Sequence, residues 1–474
     1  MSKLLKRILF IIAGLVGLII LTAGALFLFV DTSVYKPRLE TAASDALGME
    51  VRVGGRLGIG FFPGLQIRLD DLSIRNRGMD VISAKEACLE IALLPLLCRE
   101  VRIMRIGLTR PRISVKRARD GTFNFETRRE TEGAFPALAV PNLSLSDGTF
   151  LYADEQSGEG FEVGKLNLDV RSLRLGEGRS EELLKNLSFT AEFACRKIRT
   201  KDFAFSDVKF TCTGRDGVFA LNSVTMRLFG GQGSGNIRAD FSGPVPLYSV
   251  RSSLATFRIE EYLKTLSPKK VAAGAMDFSA NLTMRGKTAR EIKRTMNGEV
   301  SLRGEDLTLY GSDLDREFTR FESSQNYNLA DTAAFLVAGP LGMAATKGYN
   351  FASVLLGSGG NTGIWKFFSD WKVERGIAQA RDVAMSTKEN RIALRGRINF
   401  ASEQFEDVTI ALLDAKGCAR VQQKISGPLG KPVVGKPSVL MFLAGPAINL
   451  LKKTRDLLTG KCEVFYTGSV AAPQ

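Results

Sequence analysis

The chain has 474 residues, 45% hydrophobic and 24% charged, an ordinary globular balance with length for about three domains. Histidine is absent, which excludes Ser-His-Asp and Cys-His catalysis, His-ligated zinc and histidine-driven pH switching. Lys and Arg number 65 against 50 Asp and Glu, and a surplus of that size points to anionic partners, either nucleic acid or acidic lipid head groups.

Lys3, Lys6 and Arg7 precede residues 8–30, a stretch without a charge that includes Ile8, Leu15, Leu21 and Val30. At 1.5 Å per residue it reaches roughly 35 Å, enough for a bilayer core. The basic flank predicts a single-pass anchor with its N-terminus in the cytoplasm and everything from Asp31 onward across the membrane. The competing reading is a cleaved signal peptide, because Ala23 and Ala25 form a small-x-small site. The apolar run continues to Val30 and is longer than a usual signal core, so the retained anchor is preferred.

The six cysteines contain no Cys-x-x-Cys, so neither a zinc ribbon nor a thioredoxin motif is present. They fall into local groups: Cys88 with Cys98, Cys195 with Cys212, Cys418 with Cys462. An oxidising compartment permits bridges within these groups, while buried free thiols are the other reading. Cys418–Cys462 is the favoured bridge.

Beyond residue 50 most of the chain reads with period two. Leu187, Phe189, Ala191, Phe193 and Cys195 alternate with mainly polar neighbours, as do Met276, Phe278, Ala280, Leu282 and Met284. Ile392, Leu394, Ile398 and Phe400 continue the pattern. Such alternation marks strands with one apolar and one polar face. Turn-like strings separate them at 119–121, 146–148, 215–217 and 297–298. About twenty strands in an antiparallel all-β arrangement are expected. Helices are expected at residues 35–47, 260–266, 315–338 and 341–356. The apolar stretch 332–357 is read as a surface-seated or groove-capping hairpin because Pro340, Lys347 and Asn350 disfavour a second span. The glycine-rich string 230–235 is read as a β-turn. Asp70 and Asp71, adjacent on a strand, are expected on opposite faces and so form no acid/base dyad. No catalytic set, metal cluster or cofactor motif is found.

About twenty one-sided strands must bury their apolar faces. Two packed sheets, a small closed barrel, and a long curved sheet with a partly open apolar face all satisfy that need.

The ordered strings along the chain resemble a family. "VDTSVYKPRLETAASDALGMEVRVGGRLGIGFFPGLQIRLDDLSI" (30–74) and "LLPLLCREVRIMRIGLTRPRISVKRARDGTFNFE" (93–126) resemble the start of the bacterial AsmA family. The second string holds the family's Asp-Gly-x-x-Asn turn at Asp120, Gly121 and Asn124. "NGEVSLRGEDLTLYGSDLD" (297–315), "RIALRGRINF" (391–400), "ISGPLGKPVV" (425–434) and "CEVFYTGSV" (462–470) resemble its C-terminal portion.

The resemblance implies a bacterial inner-membrane protein with a large periplasmic part and an N-terminal module similar to the chorein module of bridge-like lipid-transfer proteins. It implies a mainly β fold: a transmembrane helix, then a long, curved antiparallel sheet forming a taco-like apolar groove, with a few short helices. The expected divisions are an anchor (1–30), a chorein-like module (31–126), a central β-groove (127–314), a helical insert with connector (315–370) and a C-terminal β region (371–474). The expected function is passive carriage of phospholipid towards the outer membrane. The alternative is an assembly factor acting on outer-membrane protein targeting and insertion. Phe189, Phe193, Phe278, Leu282, Leu302, Leu394 and Phe400 are the candidate groove lining, the competing reading of each being an ordinary core residue. The expected partners are phospholipids, the inner membrane and an outer-membrane or periplasmic protein or a second copy, but not nucleic acid. Fully stacked, such a sheet would be roughly 95 Å long.

Overall fold

A computed structural model describes residues 32–60, 64–97, 100, 102–126, 138–176, 183–265, 271–324, 336, 359–429, 432–435, 438–439 and 462–473. The anchor residues Ile8, Leu15, Leu21 and Val30, Cys98, and most of the predicted helical hairpin lie outside these residues. No described helix is long and apolar enough to cross a membrane. The fold is mainly β and mostly antiparallel, and residue contacts divide it into two compact units, Met1–Phe219 and Ala220–Gln474.

The N-terminal unit begins with helix α1 (Thr32–Leu47), stopped by Gly48 in the left-handed conformation. Strands β1 (Glu50–Val53) and β2 (Leu57–Gly60) pair with successive halves of β3 (Leu65–Asn76). β4 (Met79–Ile91) follows, then a short helix α2 (Leu93–Leu97). β5 (Ile103–Thr109) and β6 (Arg112–Arg117) complete the first meander. The turn after β6 is stitched by Asn124, whose Oδ1 accepts from Lys116 N and whose Nδ2 donates to Ser114 O.

β7 (Leu138–Asp154) corrects the all-antiparallel expectation. It runs parallel to β5 and β6, which is possible because the chain between β6 and β7 is long enough for a crossover. It also absorbs the Ser-Asp-Gly string 146–148, read from sequence as a turn, into one continuous strand. β8 (Glu159–Leu175), helix α3 (Leu183–Asn186), β9 (Leu187–Thr200) and β10 (Ala204–Arg215) complete the unit antiparallel.

Left-handed residues inside strands govern which face the side chains take. In β3 the apolar residues are Ile67 and Leu69, then Leu72 and Ile74. The parity changes at Asp71, which has φ 53°. β4 changes parity opposite it, at Lys85–Glu86 between Ala84 and Ala87. β1 and β2 are the two halves of one strand interrupted at the same row, where Gly54 N donates to Asp71 O and Gly55 N to Asp70 O. A Cβ on Gly55 would meet Asp70 Cβ at 2.6 Å, so only glycine fits. Asp70 and Asp71 therefore both stand off the apolar face, which corrects the expectation of opposite faces.

The same device recurs in one row at Asp147 (φ 52°), Lys165 (φ 56°) and Asp207 (φ 52°). β8 thus shows Val163, then Leu166, Leu168 and Val170, and β10 shows Phe205, then Val208, Phe210 and Cys212. Each break works as a β-bulge does, adding twist while returning the apolar set to one side.

The C-terminal unit starts within β11 (Val218–Leu228) and continues through β12 (Gly231–Asp240) and β13 (Leu247–Arg258). The glycine-rich string is mostly β12 rather than a turn. Cβ atoms on Gly231 and Gly233 would sit 2.7 Å from Phe257 and Met226, so the glycines make room for these two neighbours. Helix α4 (Ile259–Leu263), β14 (Ala272–Ala273), β15 (Ala275–Arg285), helix α5 (Ala289–Thr295) and β16 (Asn297–Tyr310) follow. The Asn-Gly string at 297–298 opens β16 instead of forming a separate turn.

Helix α6 (Leu314–Ser324) starts as expected from the sequence. β17 (Asn361–Glu374), β18 (Ile377–Ser386), β19 (Arg391–Asn399), β20 (Gln404–Leu413) and β21 (Ala419–Pro428) then form an antiparallel meander, ending in the short β22 (Val433–Val434) and β23 (Ser438–Val439).

The core of this unit is dry and dense. Leu309, Ile364, Met385, Ile392, Ile410 and Leu412 have no exposed surface. Leu314 and Phe318 of α6, together with Leu336, complete the cluster, and Ser369 Oγ donates to Leu336 O at 2.8 Å.

Candidate functional site

In the N-terminal unit the register of eight strands aligns apolar side chains into two neighbouring rows that run across the strands. One row is Ile59, Ile67, Leu89, Ile106, Leu143, Val170, Ala191 and Cys212. The next is Leu57, Leu69, Ala87, Leu108, Leu145, Leu168, Phe193 and Phe210. No polar residue interrupts either row. The seven inter-strand steps, at about 4.8 Å each, make a stripe of about 34 Å.

Most of these side chains are only half-buried; Leu57, Ala87 and Ala191 are the buried ones. The phenylalanines pack along the face itself. Phe193 and Phe210 stack at 4.4 Å, and Phe189 and Phe219 lie 6.2 Å apart over Gly214. Near β1 a small cluster of Val51, Val53, Leu72 and Ala87 is covered by Ala43 of α1.

The seven candidate residues separate by location. Phe189 and Phe193 stand on this half-buried face. Phe278 and Leu282 are half-buried against the margin of the C-terminal core, and Phe278 is the cross-strand neighbour of Leu302. Leu302, Leu394 and Phe400, at 2%, 2% and 7% exposure, are members of the packed core and take the ordinary core role. Sequence reading missed most of the two rows. Each strand shows its own alternation, but the register that brings Leu143, Val170 and Cys212 into one row is set by strand pairing and not by any one strand.

The thiols fit this picture. Cys195 and Cys212 are free, and burial raises both above the usual thiol pKa, keeping them protonated and inert. They pair across strands with Val208 and Ala191 rather than with each other. Cys418 and Cys462 are disulfide-bonded, with Cα atoms 6.1 Å apart. Asp414 lies beside them, but its Oδ1 accepts from Lys416 N and Cys418 N, and the bridge leaves no thiolate for a metal.

On the polar face, ion pairs are mostly exposed and mutually compensating. They include Arg171–Glu192, Arg199–Glu162, Arg381–Glu299 and Arg397–Asp407. Each contributes little to stability and fixes no catalytic group.

The AsmA family model matches residues 1–177 and again 157–331, well over half the chain. The chain belongs to the AsmA family. This is a transport and assembly family associated with the cell envelope, and the Cys418–Cys462 bridge accords with an oxidising compartment. No curated protein matches the sequence. The AsmA match spans the whole N-terminal unit, including every residue of the two apolar rows.

Proposed function

We propose that this AsmA protein carries phospholipid along the apolar face of its N-terminal unit, tethered to the bacterial inner membrane by residues 8–30 with the remaining chain in the periplasm. One observation carries the reading: two uninterrupted rows of half-buried apolar side chains run across eight strands. A face of that kind is left incompletely covered by the protein's own residues, unlike the core of the C-terminal unit.

Acyl chains would lie along the rows, each buried methylene contributing roughly 0.8 kcal/mol. Chains of one leaflet are about 15 Å long, half of a roughly 30 Å bilayer core, so the stripe has room for two lipids end to end. Head groups stay in water at the edge of the sheet, near Lys and Arg of the polar face. Carriage needs no bond making, so no catalytic residue is required. Direction comes from a lipid gradient or a partner. The sheet curves around its cargo as a groove, each left-handed break adding twist without turning the apolar set outward.

Photo-crosslinking tests the proposal. A benzophenone amino acid placed at Phe193 or Leu143 is expected to capture phospholipid in cells, and the same probe at Thr190, on the opposite face of β9, is not. Equal capture at Thr190, or none at Phe193 and Leu143, would sink it.

A further inference from the structure

The C-terminal unit holds a second feature that lipid carriage does not use. On the face opposite its dry core lies an open cleft of about 1760 Å³, walled by β11–β13, β15–β20 and the C-terminal segment at Phe465–Gly468. Its floor is a cross-strand row of small hydroxyls. Ser234 is opposite Ser253, Ser253 opposite Ser279, and Ser279 opposite Ser301, and the row ends at Asp370 and Asp382. The hydroxyls therefore recur about every 4.8 Å along the floor.

Most of the cleft's charges are already engaged. Arg303 forms a two-point pair with Asp370, whose Oδ1 also accepts from Ser301, while Arg381 pairs with Glu299 and Arg397 with Asp407. Asp382 is held by Tyr466 Oη and by Ser469 N at 3.0 Å. Lining side chains that make no hydrogen bond or ion pair among the described residues include Thr225, Ser279, Asn281, Gln379 and Arg251. That is a set of neutral hydroxyls and amides with one guanidinium.

We propose that this cleft binds a neutral, polyhydroxylated chain, an oligosaccharide. Hydroxyls and amides both donate and accept, which suits a ligand whose groups do the same. A regular polar floor suits a ligand with a regular repeat. The observations disfavour other occupants. A phospholipid would need a continuous apolar surface beside its head group, and the apolar lining residues Leu254, Phe278 and Ala380 are instead turned against the core and half-buried by it. A polyanion would find three of the five lining arginines already paired with carboxylates, and it would also face the carboxylates of Asp277 and Asp382, so the cleft offers it no net positive charge.

The test is titration of the full-length protein in detergent with maltohexaose and cellohexaose, beside phosphocholine and inorganic phosphate. Saturable binding of at least one glycan is expected, with neither phosphate compound competing. Ser279→Leu, which fills the floor, is expected to weaken it by at least about tenfold. Asn281→Ala, which removes one amide without adding bulk, is expected to weaken it about threefold to tenfold and guards against a folding defect in the first variant. Phospholipid capture at Phe193 should be unchanged in both, which separates this proposal from lipid carriage. Absence of glycan binding overturns the inference. So does glycan binding that neither substitution alters, or binding of phosphocholine that Ser279→Leu abolishes.

Discussion

Phe193→Asp is the sharpest perturbation of the proposed lipid path. Phe193 sits between Leu168 and Phe210 in the second apolar row, its ring 4.4 Å from that of Phe210. The substitution removes one stacked pair and part of a half-buried aromatic surface, together about 2 kcal/mol of stability. For a unit of this size that lowers the melting temperature by about 4–8 °C and leaves the protein folded at growth temperature. A lipid chain loses its contact with two or three methylenes at this step, about 2 kcal/mol, or roughly thirtyfold in affinity. The carboxylate adds a desolvation cost in the same direction. Fluorescent phospholipid exchange between vesicles, with full-length protein present, reads the effect. Thr190→Asp is the control, because it places the same charge on the exposed polar face of the same strand. The reasoning fails if folded Phe193→Asp protein exchanges lipid at the wild-type rate, or if Thr190→Asp loses as much.

Removing the Cys418–Cys462 bridge opens a sequence separation of 44 residues, which loop entropy values at about 4 kcal/mol. A Cys418→Ser/Cys462→Ser variant is expected to melt about 8–16 °C lower in scanning calorimetry, and a drop of under 1 °C would show the C-terminal segment held without it. At the left-handed Asp71, Asp71→Gly should change urea stability by no more than about 0.5 kcal/mol, whereas Asp71→Val should lose about 1–2 kcal/mol; equal effects would remove the conformational explanation.

Acid stability has a local contributor at Glu260. Burial opposes its charge, but its own backbone N–H, the Gly274 N–H and the Arg258 guanidinium outweigh burial and hold its pKa below the ordinary 4.5. Its contribution is complete above that value and is lost as pH falls through the lowered one. The melting difference between wild type and Glu260→Gln should therefore shrink on acidification below about pH 4; a constant difference contradicts the assignment.

Much of the fold was legible because alternation shows directly in each strand, and because Gly48 and the turn at Asp120–Asn124 have local causes. Helix α5 was also legible in principle. Thr288 accepts from Glu291 N while the Glu291 carboxylate accepts from Lys287 N, and the Thr-x-x-Glu string signals this cap. The breaks in alternation were harder. Leu-Asp-Asp-Leu-Ser-Ile at 69–74, Phe-Ser-Asp-Val-Lys-Phe at 205–210 and Phe-Glu-Asp-Val-Thr-Ile at 405–410 each place two polar residues together between apolar ones. Read by period alone, each is a strand that ends and restarts. The structure shows one strand with Asp71, Asp207 or Asp407 left-handed. Asp is suited to that place because it tolerates positive φ better than most residues. The core role of Leu302, Leu394 and Phe400 was not legible, since alternation shows a buried face and not what covers it.

The direction of the apolar rows decides what length means for function. They run across strands, so the proposed lipid path would grow by about 4.8 Å for each strand added and not at all when a strand is lengthened. Strands as long as β7 and β8 therefore widen the face, giving room for paired acyl chains side by side, while strand number sets reach. The eight strands of the two rows provide about 34 Å, little more than the core of one bilayer. On the proposed function, a carrier with this path would move lipid out of a membrane and complete a longer transfer only by meeting an acceptor protein or a second copy. Exchange measured between vesicles held apart by rigid tethers should therefore fall sharply once the separation exceeds the path. Undiminished transfer at larger spacing would place the lipid-bearing surface beyond the eight strands.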